Sequence, residues 1–396
     1  MRQWKKVLIK DLGRIVTGHT PPTKEKKFFG DFMPFIKPTD ISKDEKYTYH
    51  PEQYYSLEAA EKYKSSLIPK GATCVVCIGT IGEKMTMAHC DLFTNQSINS
   101  IIPSDDYDPD FVYYLLKYNL GKVKSLNKGT ASGREFVSKS TFLEMPIKVC
   151  VDRDEQIRIG SVLSHYDSLI ENYQQQIKLL EEAAQRLYKE WFVDLHFPGY
   201  ENTKIVDGVP EGWRKEGIGE LGEYLNGFAF KPSDWQTKGL PIIKIKELQN
   251  GVTKETPCNN GERVPKKYKI KAGDLIFSWS ATLKVVIWSG EDGWLNQHLF
   301  KVTPKTDIPR EFLLQSIASS LFKFQNLTTG STMKHIQRNK LDQVFVVVPT
   351  KDILRKYMGV AETIRSRILD LSTQLRLLTE ARDRLLPKLM SGEIEV

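Results

Sequence analysis

Two stretches of this chain concentrate groups able to hold phosphate. Residues 117–139 read KYNLGKVKSLNKGTASGREFVSK, and residues 318–340 read ASSLFKFQNLTTGSTMKHIQRNK. The first carries Lys117, Lys122, Lys124, Lys128, Arg134 and Lys139 against Glu135 alone; the second carries Lys323, Lys334, Arg338 and Lys340 with no acid. Each holds a run of small hydroxyl residues, Gly129, Thr130 and Ser132 in one, Thr329, Gly330, Ser331 and Thr332 in the other, with His335 close behind. Lysines, hydroxyls and free backbone N–H groups are the donors whose hydrogen bonds phosphate oxygens accept. Either stretch alone reads most plainly as a solvated lysine face, but the same bias in both favours phosphate contact. Base readout needs Arg, Asn, Gln or His nearby. Asn95, Gln96, Asn296, Gln297 and His298 are candidates, with a purely structural role for the repeated Asn-Gln left open.

Other motifs carry less. GIGELG, Gly217 to Gly222, fits the dinucleotide pattern G-x-G-x-x-G, but the preceding WRKE is no apolar strand and no βαβ unit surrounds it. A turn explains it better. Cys74 and Cys77, with His89 and Cys90 nearby, could suggest zinc. They fall inside an apolar strand run, where alternation sends their side chains to opposite faces. Phosphate-binding G-x-x-x-x-G-K-[ST], nucleophile-elbow and zinc-protease motifs are all missing, and the seven histidines are scattered. No catalytic constellation and no metal site is left to name.

The elements that must position the two basic stretches come in duplicate. WKKVLIKDLGRIVTG from Trp4 parallels WRKEGIGELGEYLNG from Trp213; MPFIKPTDI from Met33 is answered by LPIIKIKEL from Leu240. PKGATCVVCIGTIG and IKAGDLIFSWSATLK each give a lysine–glycine turn and then a buried-strand run. Asn95-Gln96 recurs as Asn296-Gln297, Phe111 as Phe312 and Gly129 as Gly330. These are diverged copies of one unit.

Each copy ends in a long apolar ladder. The first runs Ile159, Leu163, Tyr166, Ile170, Tyr173, Ile177, Leu180, Ala184, Leu187, Trp191. The second runs Tyr357, Ala361, Ile364, Ile368, Leu371, Leu375, Leu378, Arg382, Leu385, Leu389, with only Arg382 out of character. Sustained alternation of three and four predicts a coiled coil. The first ladder alone would span roughly 48 Å. Two separately packed surface helices are the plainer alternative; one antiparallel pair, with the phrase LLxEAxxRL written once on each arm, is the sharper one. Pro387 is expected to break or kink the second helix, and Pro198 and Pro210 to bracket the connector between copies.

The bulk properties bound the partner. The chain of 396 residues suffices for two domains, and 40% hydrophobic against 27% charged residues predicts a globular core. The net charge of +8 mildly favours a polyanionic partner. An odd count of 5 cysteines suits reduced thiols in a cytoplasm. MRQWKKVLIKDLGRIV lacks the apolar core of a signal peptide, and no membrane-spanning run occurs.

Two long phrases carry a family resemblance: EWFVDLHFPGYENTKIVDGVPEGWRKEGIGELGE, Glu190 to Glu223, and RLLPKLMSGEI, Arg384 to Ile394. They resemble segments of the specificity subunit of type I restriction–modification enzymes, and the likeness extends over the duplication and both ladders. It implies an α+β fold of two tandem duplicated globular α/β target recognition domains, separated by an antiparallel coiled coil of two long helices with pseudo-two-fold symmetry. The expected bounds are 1–150 for the first recognition domain, 151–194 for the first helix, 195–212 for a linker, 213–349 for the second domain, 350–391 for the second helix and 392–396 for a tail. The resemblance further implies that each domain reads one half of a bipartite asymmetric site in double-stranded DNA, that the helices set the gap, and that the chain catalyses nothing itself. Two modification subunits would dock on it and carry S-adenosylmethionine; restriction subunits would bring ATP and Mg. Tyr166, Ile170, Tyr173, Ile177, Leu180, Leu187, Trp191, Ile364, Ile368, Leu371, Leu375, Leu378 and Leu385 are the expected helix and partner interface. Gly79-Thr80-Ile81-Gly82 resembles a recurring loop of these domains, replaced in the second copy by Ser280-Ala281-Thr282-Leu283. A protein–protein adaptor with basic loops, or a DNA-modifying enzyme with an unrecognised site, remain as alternatives.

Overall fold

The computed structural model describes residues 4–127, 135–325 and 338–396. The chain forms two compact units, one made of Met1–Tyr173 with Leu375–Val396, the other of Gln174–Gln374. Both long helices therefore start in one unit and finish in the other.

In the first unit a four-stranded antiparallel sheet runs in the order Gly13–Thr17, Ile98–Pro103, Thr73–Val76, Met85–Met87. A second sheet orders Phe29–Gly30, Gln53–Tyr55, Met33–Ile36 and Phe93–Thr94, its last pair parallel. Trp4–Leu8 pairs antiparallel with Pro146–Cys150, clasping the lobe at its two ends. The strand Thr73–Val76 is buried throughout. Its alternation sends Cys74 and Cys77 into different apolar clusters, so they cannot share a metal. Burial pushes the Cys74 thiol up to about 12 and the Cys77 thiol to about 11, as inert structural cysteines require. Among the described residues no group of His, Cys, Asp and Glu is arranged to hold a metal ion.

The helix Pro109–Ser125 covers the first sheet. Asp108 caps it by accepting from Phe111 N at 2.8 Å, and Pro109 takes the first turn, where its missing N–H costs nothing. Phe111, Val112, Leu115 and Leu116 are its buried face, sharing a core with Ile159 and Leu163 of the first long helix and Leu389 and Met390 of the second.

The second unit repeats the plan. Gly222–Asn226, Leu299–Pro304, Leu275–Ser278 and Lys284–Ile287 form the antiparallel sheet; Cys258–Asn259, Leu240–Ile243, Gly293–Leu295 and Lys269–Ile270 form the mixed one; and Arg214–Gly217 pairs with Phe345–Val348. Register repeats as well: Gly13 faces Pro103 in one unit and Gly222 faces Pro304 in the other. GIGELG is a single 3-10 turn, Ile218–Leu221, between two strands, with no nucleotide loop. Its first glycine answers a close backbone approach, since a Cβ on Gly217 would lie 2.7 Å from Asp342 O.

The long helices are Arg153–Phe192 and Lys351–Ser391. Among the described residues no helix is long and apolar enough to cross a membrane. Within the first unit they run antiparallel: Arg158 Nε donates to Val396 O at 2.9 Å, and further along Asp167 meets Arg382. Within the second, Tyr188, Trp191 and Phe192 surround Tyr357, and Arg365 acts electrostatically on Glu181, again in opposite directions.

Three expectations need correction. The second helix passes through Pro387 and continues to Ser391, because one lost N–H bond near a helix end is outweighed by the burial of Leu389 and Met390. Leu187 and Trp191 are only half-buried, whereas Tyr188 and Phe192 are 2% and 3% exposed. An α-helix drifts about 20° per heptad against a strict 3.5 repeat, so after several turns the buried stripe has moved one position along the sequence. Tyr166, Tyr173, Ile177, Leu180, Ile364, Leu375, Leu378 and Leu385 are likewise half-buried, while Ile170, Ile368 and Leu371 are buried. Lastly, Lys117 is no surface cation. Its Nζ is buried, with no hydrogen-bond partner among the described residues, 5.7 Å from the Tyr113 ring, and burial pushes its pKa down.

Candidate nucleic-acid interface

Of the basic residues expected to meet phosphate, Lys128, Gly129, Thr130, Ser132, Arg134, Thr329, Gly330, Ser331, Thr332, Lys334 and His335 lie outside the described residues. Their flanks are well placed. In the first unit Phe136 N donates to Asn127 Oδ1 at 3.0 Å, Gly79 N donates to Glu135 O at 3.1 Å and Val137 N to Cys77 O at 2.9 Å. The chain that leaves at Asn127 thus returns beside its departure, locked onto the Gly79–Gly82 turn. Gly79 and Gly82 have φ of +93° and +70°, values that favour glycine. The second unit puts Ala281 at φ +55° in the corresponding turn.

Lys122 is exposed at the end of the lobe helix. Lys124 is already answered by Glu83 at 3.2 Å, a carboxylate it shares with Lys43, which weakens its candidacy for phosphate. Lys323 and Arg338 are exposed on either side of 326–337.

Lys139 is the residue that leads to a site. It lines a groove of about 430 Å³ with Arg14, Thr17, Gly18, His19, Tyr63, Ser65 and Ser66, and no acid is among the lining residues. Arg14, His19 and Lys139 are exposed, so cations and hydroxyl donors rim a concave surface. The floor is rigid. Gly18 N donates to Ile98 O at 3.2 Å and His19 N to Thr94 O at 2.8 Å, while Tyr55 Oη donates to His19 O at 2.6 Å. The His19 ring lies 4.4 Å from the Tyr63 ring, inclined 31°. Thr20 Oγ1 hydrogen-bonds Gln96 Oε1 beside it. Asn95 is half-buried and its Oδ1 accepts from Ser97 N at 3.1 Å, so the Asn of the repeated Asn-Gln is a turn residue; Gln96 is exposed. Arg14, His19 and Tyr63 are invisible as a group in the sequence, being brought together only by strand pairing. The larger groove of the second unit, about 960 Å³, is lined by Lys305, Lys351 and Arg355 but also by Glu223 and Asp307, so carboxylates offset most of its positive charge.

The fold is one of duplicated α+β lobes through which two long helices pass, with a basic polar groove in the first unit. The comparisons supply the class. The model of the type I restriction modification DNA specificity domain matches residues 1–182 and again 210–370. The chain belongs to that family, and it carries the domain twice. The specificity subunit of type I restriction enzyme MjaIX from Methanocaldococcus jannaschii is 27% identical over 426 aligned residues, covering 100% of this chain and 94% of that one. The HindI specificity subunit of Haemophilus influenzae is 31% identical over 182 residues, 46% of this chain and 39% of that one. The crystal structure of a type I restriction–modification S subunit from M. genitalium has a TM-score of 0.59 at 15% identity, covering 98% and 96% of the two chains, and so shares the fold.

Proposed function

We propose that this chain reads DNA for a type I restriction–modification complex without catalysing a reaction itself. Each unit contacts one half of a bipartite duplex site, and the paired helices set the gap between halves. Methyl transfer belongs to modification subunits carrying S-adenosylmethionine, and ATP- and Mg-dependent steps to restriction subunits. The observation that carries this reading is the doubling: two matches of one DNA specificity domain, on two lobes of one topology, each of which includes part of both long helices.

Docking of two identical modification subunits is supported by the outer helix faces. The phrase shared by the ladders, Leu179 to Leu187 and Leu377 to Leu385, repeats an exposed leucine and a Glu–Arg pair on its solvent side, while the exposed Gln185 and Asp383 differ. Leu179 and Leu377 are 54% and 52% exposed, and Glu182–Arg186 and Glu380–Arg384 form the same surface ion pair. On the inward side the half-buried Leu180 and Leu378 match, and the buried Ala184 and Arg382 differ. A leucine and an ion pair kept on the solvent side of both helices suit one partner that docks twice. On the first helix this face is a groove of about 480 Å³ lined by Leu179, Glu182, Ala183, Arg186, Leu187 and Glu190.

The test is to incubate purified chain with duplex DNA and methyl-labelled S-adenosylmethionine, with and without the modification subunit. Label should enter DNA only when both proteins are present. Methylation by the chain alone would make it the enzyme; no duplex binding at low salt, even in the complex, would leave it an adaptor.

A further inference from the structure

The groove of the first unit has a counterpart frame in the second that carries different chemistry at one position. In each unit a glycine is forced against the Asn-Gln corner. A Cβ on Gly18 would lie 2.2 Å from the carbonyls of Thr94 and Asn95, and one on Gly227 would lie 2.2 Å from that of Asn296. Gly18 N bonds Ile98 O at 3.2 Å and Gly227 N bonds Leu299 O at 3.0 Å. The next residue, His19 or Phe228, donates its N–H at 2.8 Å to Thr94 O or Leu295 O. Its ring then meets a tyrosine from a repeated Lys-Tyr-Lys: His19 lies 4.4 Å from Tyr63, and Phe228 lies 5.6 Å from Tyr268. Behind each tyrosine stands the preceding lysine, Lys62 at 5.4 Å and Lys267 at 5.0 Å from the ring centre. Backbone, supporting tyrosine and cation are thus the same twice, and the presented ring is not.

On the strength of the proposed DNA-reading function, we infer that positions 19 and 228 are equivalent base-contacting positions of the two recognition units. His19 hydrogen-bonds a base edge in the first half-site, and Phe228 makes an apolar base contact in the second. Three observations favour this over a structural role. A frame kept through duplication needs no variation in its ring unless the ring meets something different. His19 is exposed, beside Gln96 and above a groove whose rim holds Arg14 and Lys139, cations suited to the flanking phosphates. The chemistry also fits what a groove offers: imidazole nitrogens can donate to or accept from a base edge, while a phenyl ring suits the thymine methyl. The strand position that holds Arg14 in the first unit holds Glu223 in the second, so the phosphate contacts differ too.

The experiment compares adenine-methylation maps of cells expressing the modification subunit with wild-type chain, His19→Phe or Phe228→His. His19→Phe is expected to change or relax a base in one half-site, leaving the other half-site and the gap intact, and Phe228→His to do the reverse. For the purified complex, His19→Phe should weaken binding to the wild-type site about tenfold while binding to unrelated duplex is unchanged. Wild-type motifs methylated to wild-type extent by both variants would overturn the inference. If His19→Phe does not fold, His19→Gln, which keeps a hydrogen-bonding tip, decides by the same readouts. Failure of the wild-type chain to direct any split motif would instead sink the function on which this rests.

Discussion

Asp167 and Arg382 meet inside the first unit at 2.6 Å, their side chains 8% and 5% exposed. Tyr114 Oη donates to the other carboxylate oxygen at 2.6 Å, and Arg382 Nη2 reaches Asp383 at 2.8 Å. A ladder written only for apolar packing has no use for Arg382, which is why it looked foreign there. The repeat puts Ala184 where the second helix has Arg382, and Arg365 where the first has Asp167; Arg365 is turned instead to Glu311 of its lobe at 2.7 and 3.0 Å. Pairing two copies of the first helix would therefore set a buried carboxylate against an alanine. Removing one partner of a buried pair strands the other charge, so Asp167→Ala should cost about 3–5 kcal/mol in urea unfolding, most of it recovered in Asp167→Ala/Arg382→Leu. Equal loss in single and double variants would mean that the pair contributes only packing. Such networks are hard to read from sequence because the partners sit far apart along the chain. The same holds for Arg14, His19 and Tyr63, although Lys-Tyr-Lys occurs in both copies of the sequence.

Among the elements, the duplicated strands and the two helices were legible because their cues are local: β-branched runs after lysine–glycine turns, and threes and fours sustained through each ladder. What the ladders concealed was which residue of each pair is buried at the far end. There the helix meets the lobe through Phe192, 4.9 Å from Tyr357 and 5.2 Å from Phe312, with Phe197 on Trp213 at 4.5 Å beyond it. Deleting one heptad at matched positions of both helices keeps the apolar pattern in phase and shortens each by about 10 Å. The methylated motif should then keep both half-sites with a gap about three base pairs shorter. The same deletion in one helix alone should abolish assembly with the modification subunit, as seen by size-exclusion chromatography. An unchanged gap after the matched deletion would remove the helices from the measurement of spacing.

For the whole molecule the consequence of duplication is division of labour. One topology, used twice in one chain, gives two surfaces that differ: a groove rimmed by Arg14, His19 and Lys139 in one unit, and in the other a Phe228–Tyr268 platform, with Glu223 at the strand position that holds Arg14 in the first. Two different surfaces read two different half-sites, so the target should be asymmetric. Each long helix carries the same exposed leucine and Glu–Arg pair, so the partner should be the same at both. The most direct measurement is a genome-wide methylation map of cells carrying this chain with its modification subunit. The account predicts a single motif of two unlike half-sites separated by a fixed stretch of unspecified bases, present only when both proteins are expressed. A continuous or palindromic motif, or methylation that persists without this chain, would contradict it.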